Sequence, residues 1–551
     1  MTPNISIIAK LLKVKDMHIE KVTAEAEAGE KNGEKITIEK VVVECRPIKR
    51  IQKQCPICRK TCPGYDTKKT TPSTWRGPNL NGMIVEVRYL RHRVECPEHG
   101  CLSEYVPWQD GNTRFLPDFN NEAAYLAMNA SKTTVCEFMN VNWRTVGHCI
   151  EAVHDRLEPD PNARIKGLKR LSVDETSRSA GHKYITVVRD LDRNNVVWLH
   201  DNHGDTVFEE FCASLSEEQR AAIEVVAGDG AGWIDRMCKK YFPNARRCVD
   251  FFHVVAWVND ALDKLRSSLR NKAERDYEKM EAQFKADIKQ RRETDKALKR
   301  DYENAQRELA VLCRKKGRPS KRRKELEVKI ATYEATFQPD STDDTAKARY
   351  GYTGEQLSML DLLMDKKKVI KDSKYALLNN QENLSDKYRE KIDLIEVSYP
   401  ELYQAYQLKE RLRVILHLKT VELAKEELQN WIDDAKNSGI NPFVKVAEKV
   451  ERHADGIIRA IECNANSAKS EATNTTIKAM IKVARGFTNV ENLFALIMLR
   501  CSELVIPLRN RNLPNPDKKK ELREKTNARR RSRLYEKTGA PQASILPTQN
   551  T

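Results

Sequence analysis

The chain has no long apolar stretch. Its 551 residues contain no run of about eighteen apolar side chains, the length that a helix needs to cross a bilayer. The first residues also lack the charged, apolar and small-residue order of a secretory signal. These absences argue against a membrane protein and predict a soluble protein of the cytoplasm.

Cysteine is too scarce for a disulfide scaffold. Fourteen cysteines in 551 residues do not make the dense framework of a small secreted domain, and in a reducing compartment closely spaced cysteines are more often metal ligands. No internal repeat is evident. Because the length exceeds that of one ordinary domain, several domains are expected.

Positive charge, by contrast, is in excess. The chain has 97 Lys and Arg against 80 Asp and Glu, a formal net charge of +17. This balance favours a polyanionic partner, with nucleic acid first. A surplus of basic residues can also serve solubility alone, so charge leaves the partner open.

Residues 1–112 are predicted to form a β-rich domain. The segment 35–45 alternates and is rich in β-branched residues, and it follows a turn at 29–33 after a first strand-like run. This pattern is typical of a β-hairpin. A second β-rich run covers 83–94.

Two cysteine pairs flank that second run. Cys55 and Cys58 are separated by two residues, and Cys96 and Cys101 by four. Two such pairs can converge on one tetrahedral Zn²⁺, and four protein ligands would make the ion structural. His99 is the alternative to Cys101 as fourth ligand. Free cysteines buried in a β-domain are the alternative to a metal site.

Residues 113–165 are predicted to form a helix-turn-helix domain. A short helix at 132–139, a turn and a second helix from residue 143, capped by Asn142, have the layout of that motif. Ordinary helical bundles contain similar pairs. In the DNA-binding case the exposed first turn of the second helix would present three side chains to DNA: Trp143, Arg144 and Thr145.

Residues 166–270 show strands and helices in the order of a ribonuclease-H-like α/β core. Three strands form a meander, and a helix, a fourth strand, a helix and a fifth strand follow. In that order the first and fourth strands are neighbours, so Asp174 and Asp229 at their ends would lie close together. Two Mg²⁺ or Mn²⁺ ions would neutralise such a pair. Each aspartate alone is also a common turn former.

The remaining chain is helical and then basic. Residues 271–455 are predicted to be an all-α insertion of charged amphipathic helices, 456–506 the last part of the catalytic core, and 507–551 a disordered basic tail that adds phosphate affinity. The expected fold class is therefore a multidomain α+β protein with a helical insertion in its catalytic domain.

Several motifs together resemble the ISL3 family of bacterial insertion-sequence transposases, over most of the chain. They are the cysteine pairs, the helix-turn-helix and four segments at 173–175, 181–188, 228–231 and 243–254. The resemblance implies a DDE transposase in which Asp174 and Asp229 are the first two acids. It also makes Asp250 and His253 an Asp-x-x-His signature, which we expect to shape the site or contact DNA.

The resemblance places the third acid in a helix packed beside the first and fourth strands. Glu471 leads a helical face that continues with Asn474, Lys478 and Lys482, and these three side chains are expected to grip DNA phosphates. Ala472 stands where the family pattern has glycine.

The expected function is a DNA transposase with one structural Zn²⁺ and two catalytic Mg²⁺ or Mn²⁺ ions. It would bind double-stranded DNA at its element's terminal inverted repeats, cut it, and join the 3′ ends to target DNA. Pairing two ends requires at least a dimer, acting at the nucleoid. The alternatives are a non-catalytic DNA-binding regulator and a ribonuclease-H-like repair nuclease.

Overall fold

The structure, a computed structural model, describes residues 5–12, 14–31, 34–65, 71–179, 181, 183–314, 317–336, 351–465, 468–484, 486–487 and 489–508. In this part of the chain strands and helices are both abundant, as predicted for the α+β class. Among the helices described, none is both long and apolar enough to span a bilayer. Most of the predicted basic tail, 509–551, lies outside the described residues.

The N-terminal region is built from strands, as its alternating valines predict. Buried Val41, Val43, Val85 and Val87 pack with Trp75 and other apolar residues beneath one sheet, since alternate residues of a strand face the same side. The elements are α1 (Ile5–Leu12), β1 (Met17–Lys31), β2 (Glu34–Pro47), β3 (Ser73–Leu80) and β4 (Met83–Tyr89), in the sheet order β1-β2-β4-β3. A separate hairpin pairs β5 (Arg93–Cys96) with β6 (Gly100–Ser103).

Three helices follow: α2 (Pro117–Ala127), α3 (Lys132–Met139) and α4 (Trp143–Leu157). Ser131 caps α3, and Asn142 caps α4 as predicted. Asn140 ends α3 in the left-handed region, with φ 52°. Arg76 of β3 donates hydrogen bonds to the carbonyl oxygens of Met139 and Asn140, which joins the N-terminal sheet to this helical unit.

The central sheet has five strands in the order β11-β10-β7-β8-β9. The strands β7, β8 and β9 form an antiparallel meander, whereas β10 pairs with β7 and β11 in parallel. The first strand of this sheet is therefore hydrogen-bonded to the fourth. The strands are β7 (Arg170–Ser179), β8 (Lys183–Asp190), β9 (Asn195–Asp201), β10 (Val225–Gly228) and β11 (Arg246–Val249).

Helices cover both faces of this sheet. On one face, α5 (Asp205–Ser214) and α7 (Gly232–Tyr241) pack onto alternate strand residues, while the short α6 (Glu217–Ala221) links α5 to β10. On the other face, the sheet shares one core with α4 and with two helices from near the end of the described chain. Residues of α2 and α3 belong to the same core.

A long helical region follows β11, with no strand among its described residues. Its elements are α8 (Phe251–Cys313), α9 (Lys321–Thr336), α10 (Gly354–Lys371), α11 (Lys374–Leu378), α12 (Asp386–Ser398), α13 (Pro400–Ile415), α14 (Val421–Asn437) and α15 (Asn441–Arg452). The chain returns to the central sheet through α16 (Ala454–Glu462), α17 (Ala468–Val483) and α18 (Val490–Cys501). Short 3₁₀ turns occur at Pro161–Ile165 and Gln381–Asn383.

The helix α8 is continuous over 63 residues, so the predicted domain boundary at residue 270 falls inside it. Residues 251–313 contain no proline or glycine, the residues that most readily interrupt a helix. The helix α9 folds back along its far end in antiparallel fashion, and ion pairs such as Arg322 with Glu308 hold the two together. The base of α8 joins a large core with α13, α14 and α15.

Candidate active site

Two aspartates lie at the same edge of the central sheet. In the parallel pairing of β7 and β10, Ser172 stands opposite Ala227. Asp174 and Asp229 each follow two residues after this pair. Since parallel strands in register advance together, both carboxylates reach the edge of the sheet where β10 ends.

Asp174 is held from three sides. Its Oδ1 accepts a hydrogen bond from the backbone N–H of Glu175 at 2.8 Å, and its Oδ2 accepts one from Asn474 Nδ2 at 2.5 Å. The His253 Nε2 atom lies 3.8 Å from Asp174 Oδ1. Strand β7, helix α8 and helix α17 thus converge on one carboxylate.

Asp229 lies in the loop between β10 and α7. Its Oδ1 accepts a hydrogen bond from the backbone N–H of Ala231 at 2.9 Å. Arg247 of β11 donates to the Asp229 carbonyl oxygen and pairs with Asp235 at 2.8 Å. The Arg247 guanidinium therefore restrains the backbone of this loop. The hydrogen bond within the turn orients the Asp229 carboxylate.

Asp250 and His253 begin helix α8 beside the two acids. Asp250 is buried and caps the helix, since its Oδ1 accepts a hydrogen bond from the backbone N–H of Phe252 at 2.8 Å. Burial acts to lower the pKa of His253, but the Asp174, Asp250 and Asp229 carboxylates outweigh it, and the pKa is raised. The structure therefore brings His253 to the acid pair, whereas it gives Asp250 a capping role.

Glu175 is a further acid of this region that sequence reasoning left without a role. Its Oε1 accepts a hydrogen bond from the backbone N–H of Gly204 at 3.0 Å, and His203 Nδ1 lies 3.7 Å from its Oε2. Burial raises the pKa of Glu175, and the negative charges of Asp229 and Asp174 raise it further. The position of Glu175 next to Asp174 in the strand was the sequence feature that could have indicated a place near the site.

The helical region supplies an aromatic and basic group on the Asp229 side. A Cβ atom at Gly230 would lie 2.9 Å from Trp257 Cζ2 and 3.1 Å from His453 Nε2. Lys449 Nζ lies 3.9 Å from the centroid of the Trp257 ring. Burial lowers the pKa of Lys449, while the Asp229 carboxylate acts in the opposite direction. No sequence pattern connects these distant residues, so sequence reasoning missed them.

The helix α17 contacts Asp174 through Asn474. Glu471, one turn earlier, is exposed, as are Lys478 and Lys482. Among the described residues, one group of at least three Cys, His, Asp or Glu side chains brings its ligand atoms within 4.8 Å of one another. Asp174, Asp229 and Glu471 do not form that group.

The donor set around Asp174 nonetheless suits a hard divalent cation. Carboxylate and amide oxygens are the ligands that Mg²⁺ and Mn²⁺ accept most readily. Besides the two aspartates, the Oδ1 atom of Asn474 is buried and has no hydrogen-bond partner in the described residues. A buried amide oxygen without a partner is costly unless something binds it.

A cluster of four possible metal ligands lies in the N-terminal region: Cys55, Cys58, Cys96 and His99. Cys58 Sγ lies 3.7 Å from Cys96 Sγ, and His99 Nδ1 lies 3.5 Å from Cys96 Sγ and 3.8 Å from Cys55 Sγ. Zinc–sulfur bonds of about 2.3 Å in a tetrahedron place ligand atoms roughly 3.6–3.8 Å apart. The cluster thus has the spacing of a zinc site.

The structure does not bring Cys101 into this cluster, and His99 takes the fourth place. In the β5-β6 hairpin, Cys96 pairs with Gly100 and Glu95 with Cys101. Paired residues share one face of the hairpin, so Cys101 lies on the exposed face of Glu95 while Cys96 is buried. Cys101, the fourth ligand expected from cysteine spacing, is therefore replaced by His99, the alternative that the sequence left open.

The three residues expected to contact DNA stand at the start of α4. Trp143 and Arg144 are exposed, and the Trp143 side chain has 52% of its surface accessible. Thr145 is half-buried, and its Oγ1 donates a hydrogen bond to the capping Asn142 at 3.0 Å. Two of the three side chains are thus free of the core, and the third supports the cap.

A family model described as a transposase matches residues 171–335 and 344–497. The chain is 30% identical over 463 residues to the transposase for insertion sequence element IS1557 of Mycobacterium tuberculosis, covering 84% of this chain and 88% of that protein. It is 21% identical over 451 residues to the transposase for element IS1001 of Bordetella parapertussis, covering 80% and 87%. The chain therefore belongs to the ISL3 family of insertion-sequence transposases.

Proposed function

We propose that the chain is a DDE transposase with a ribonuclease-H-like catalytic core, which cuts DNA at the ends of an insertion sequence and joins them to target DNA. The observation that supports this most is the pair Asp174 and Asp229 on adjacent parallel strands, with His253 and Asn474 directed at Asp174. Repulsion between two carboxylates at one sheet edge is costly in a purely structural core.

Asp174 and Asp229 would hold two Mg²⁺ or Mn²⁺ ions, with Glu471 of α17 as the third acid. When bound, these ions would neutralise the carboxylates and polarise the phosphodiester. The protein's own part is positioning: Asn474 fixes the orientation of Asp174, and His253 faces its other oxygen. No covalent protein intermediate is required, because water and then a 3′-hydroxyl can act as nucleophiles.

We assign DNA-end recognition to residues 1–112, with one structural Zn²⁺, and to the helix-turn-helix at 113–165. Catalysis falls to 166–270 and 456–506, separated by the insertion 271–455. Basic residues after 507 add affinity for DNA phosphates. Two ends must be paired, so the active form is at least a dimer, acting on cytoplasmic DNA at the nucleoid.

The test is Mg²⁺-dependent nicking of a plasmid that carries the sequences flanking the coding gene. Asp174→Asn, Asp229→Asn and Glu471→Gln should each abolish nicking and end joining while binding of the flanking DNA survives. Glu462→Gln is the matched control, because Glu462 is also a helical glutamate of the last part of the chain but pairs with Arg246 at 2.9 Å, at the end of β11 away from Asp229. Strand transfer retained by any acid variant removes that residue from the proposed site.

The same assay separates the alternatives. Binding without nicking by the wild-type chain, in both Mg²⁺ and Mn²⁺, would indicate a DNA-binding regulator. Nicking without insertion of pre-cleaved ends into a second plasmid would indicate a repair nuclease.

A further inference from the structure

We propose that the helical region contributes a binding subsite for the phosphodiester backbone of a DNA strand, formed by Lys449 and Arg452 beside Trp257 and His453 on the Asp229 side of the sheet. The proposal rests on the proposed function, since it describes how the DNA at that site is held. The subsite is separate from the helix-turn-helix and from the exposed lysines of α17.

Its position follows from Gly230, the residue after Asp229. The Trp257 ring and the His453 imidazole approach Gly230 so closely that a Cβ there would lie 2.9 Å and 3.1 Å from them. Helix α8 supplies Trp257, and the end of α15 supplies His453. A strand that reaches Asp229 therefore passes these two side chains.

The charges of Asp229 and Asp260 act on Lys449 from a distance. Lys449 and Arg452 lie three residues apart, on one face of the last turns of α15. Within the described residues neither of them forms an ion pair with a carboxylate, whereas Lys436 of the neighbouring helix α14 pairs with Glu451 at 2.7 Å. The Trp257 ring positions the Lys449 ammonium at 3.9 Å from its centroid, an arrangement that restrains a long flexible side chain.

A basic cavity of 430 Å³ continues from the subsite, and Arg452 and His453 form part of its wall. Lys239, Arg247 and Arg459 also line it. One of its two acids, Asp235, is paired with Arg247. An excess of cations around a groove suits the oxygens of a phosphodiester.

A neutral ligand fits less well, because it would leave the positive charge of the subsite uncompensated. The subsite lies beside Asp229, which a DNA strand cut at the proposed active site must approach. The phosphodiester backbone carries one charge at each nucleotide, so one strand can reach both Lys449 and the cavity beyond Arg452.

The test uses the full chain with Asp174→Asn, in Ca²⁺, so that binding is measured without cleavage. The probe is a short random-sequence duplex with a single-stranded 3′ overhang, and fluorescence anisotropy gives affinity as a function of salt. Lys449→Gln and Arg452→Gln should each reduce the slope of log affinity against log salt by about 0.7–0.9, the value for one lost phosphate contact. Lys425→Gln, at an exposed lysine of α14, should leave the slope unchanged.

Unchanged slopes in both Lys449→Gln and Arg452→Gln overturn the subsite. If Lys449→Gln fails to fold by circular dichroism, the exposed Arg452 decides alone. Because nicking is not the readout, this failure leaves the proposed function standing. Conversely, nicking that survives Asp174→Asn removes the catalytic assignment whatever the salt slopes show.

Discussion

Replacing His99 with alanine should remove zinc from the chain, whereas replacing Cys101 with alanine should not. His99 Nδ1 lies 3.5 Å from Cys96 Sγ and 3.8 Å from Cys55 Sγ, close to the spacing of about 3.6–3.8 Å expected around a tetrahedral ion. Cys101 is exposed on the other face of the hairpin. For the Cys101 thiolate to reach the cluster, the pairing of β5 with β6 would have to shift so that Cys101 faced the other side of the hairpin.

The expected loss of zinc affinity is large because His99 is itself a ligand in this assignment. Mutation of groups that only support a metal ligand costs about 10–100-fold in metal affinity, so loss of His99 itself should cost more than that. Since metal binding to a structural site stabilises the fold, the N-terminal region should also melt at lower temperature in His99→Ala. Cys101→Ala should melt as the wild type does.

The assay is zinc content by mass spectrometry after dialysis against a chelator that the wild type withstands. One zinc ion per chain is expected for the wild type, for Cys101→Ala and for His148→Ala, which removes an exposed histidine of α4. Full zinc content in His99→Ala, or loss of zinc from Cys101→Ala, would refute the ligand assignment.

Two further predictions concern contacts of the last two described helices, α17 and α18. Asn474→Ala removes the hydrogen bond to Asp174. Because such bonds to charged groups contribute about 1.5–3 kcal/mol, nicking should slow roughly 10- to 100-fold while the circular dichroism spectrum stays unchanged. A wild-type nicking rate would contradict the positioning role of Asn474. Gly147→Ala places a Cβ 2.9 Å from the Asn492 amide of α18. Overpacking of this kind lowers the free energy of unfolding by about 1–3 kcal/mol, so the midpoint of urea unfolding should fall. An unchanged midpoint would contradict the tight contact of α4 with α18.

The pairing of Asp174 and Asp229 was predictable because it depends on strand order alone. Three strands in a meander, followed by a strand after a helix, leave few ways to arrange a sheet. In the structure β10 pairs with β7 in parallel, and both aspartates follow at the same offset. The cap at Asn142 was equally local, since an N-cap depends on four consecutive residues.

The long helix was harder to predict. Residues 251–313 form one helix, although the sequence suggested a domain boundary at 270. A change from apolar to charged composition occurs there because the helix leaves the core and becomes exposed, not because the chain turns. Composition reports solvent exposure along a helix, and only a breaker residue reports its end.

The sequence by itself determined the cysteine and aspartate patterns, the strand order and the family, because these depend on spacing along the chain. The tertiary structure alone decided that His99 and not Cys101 joins the cluster, since the hairpin register sets which face each side chain takes. It also decided that Asn474 contacts Asp174 while Trp257, Lys449 and His453 gather beside Gly230. These groups come from helices far apart in sequence, and no local pattern records which residues long-range packing will bring together.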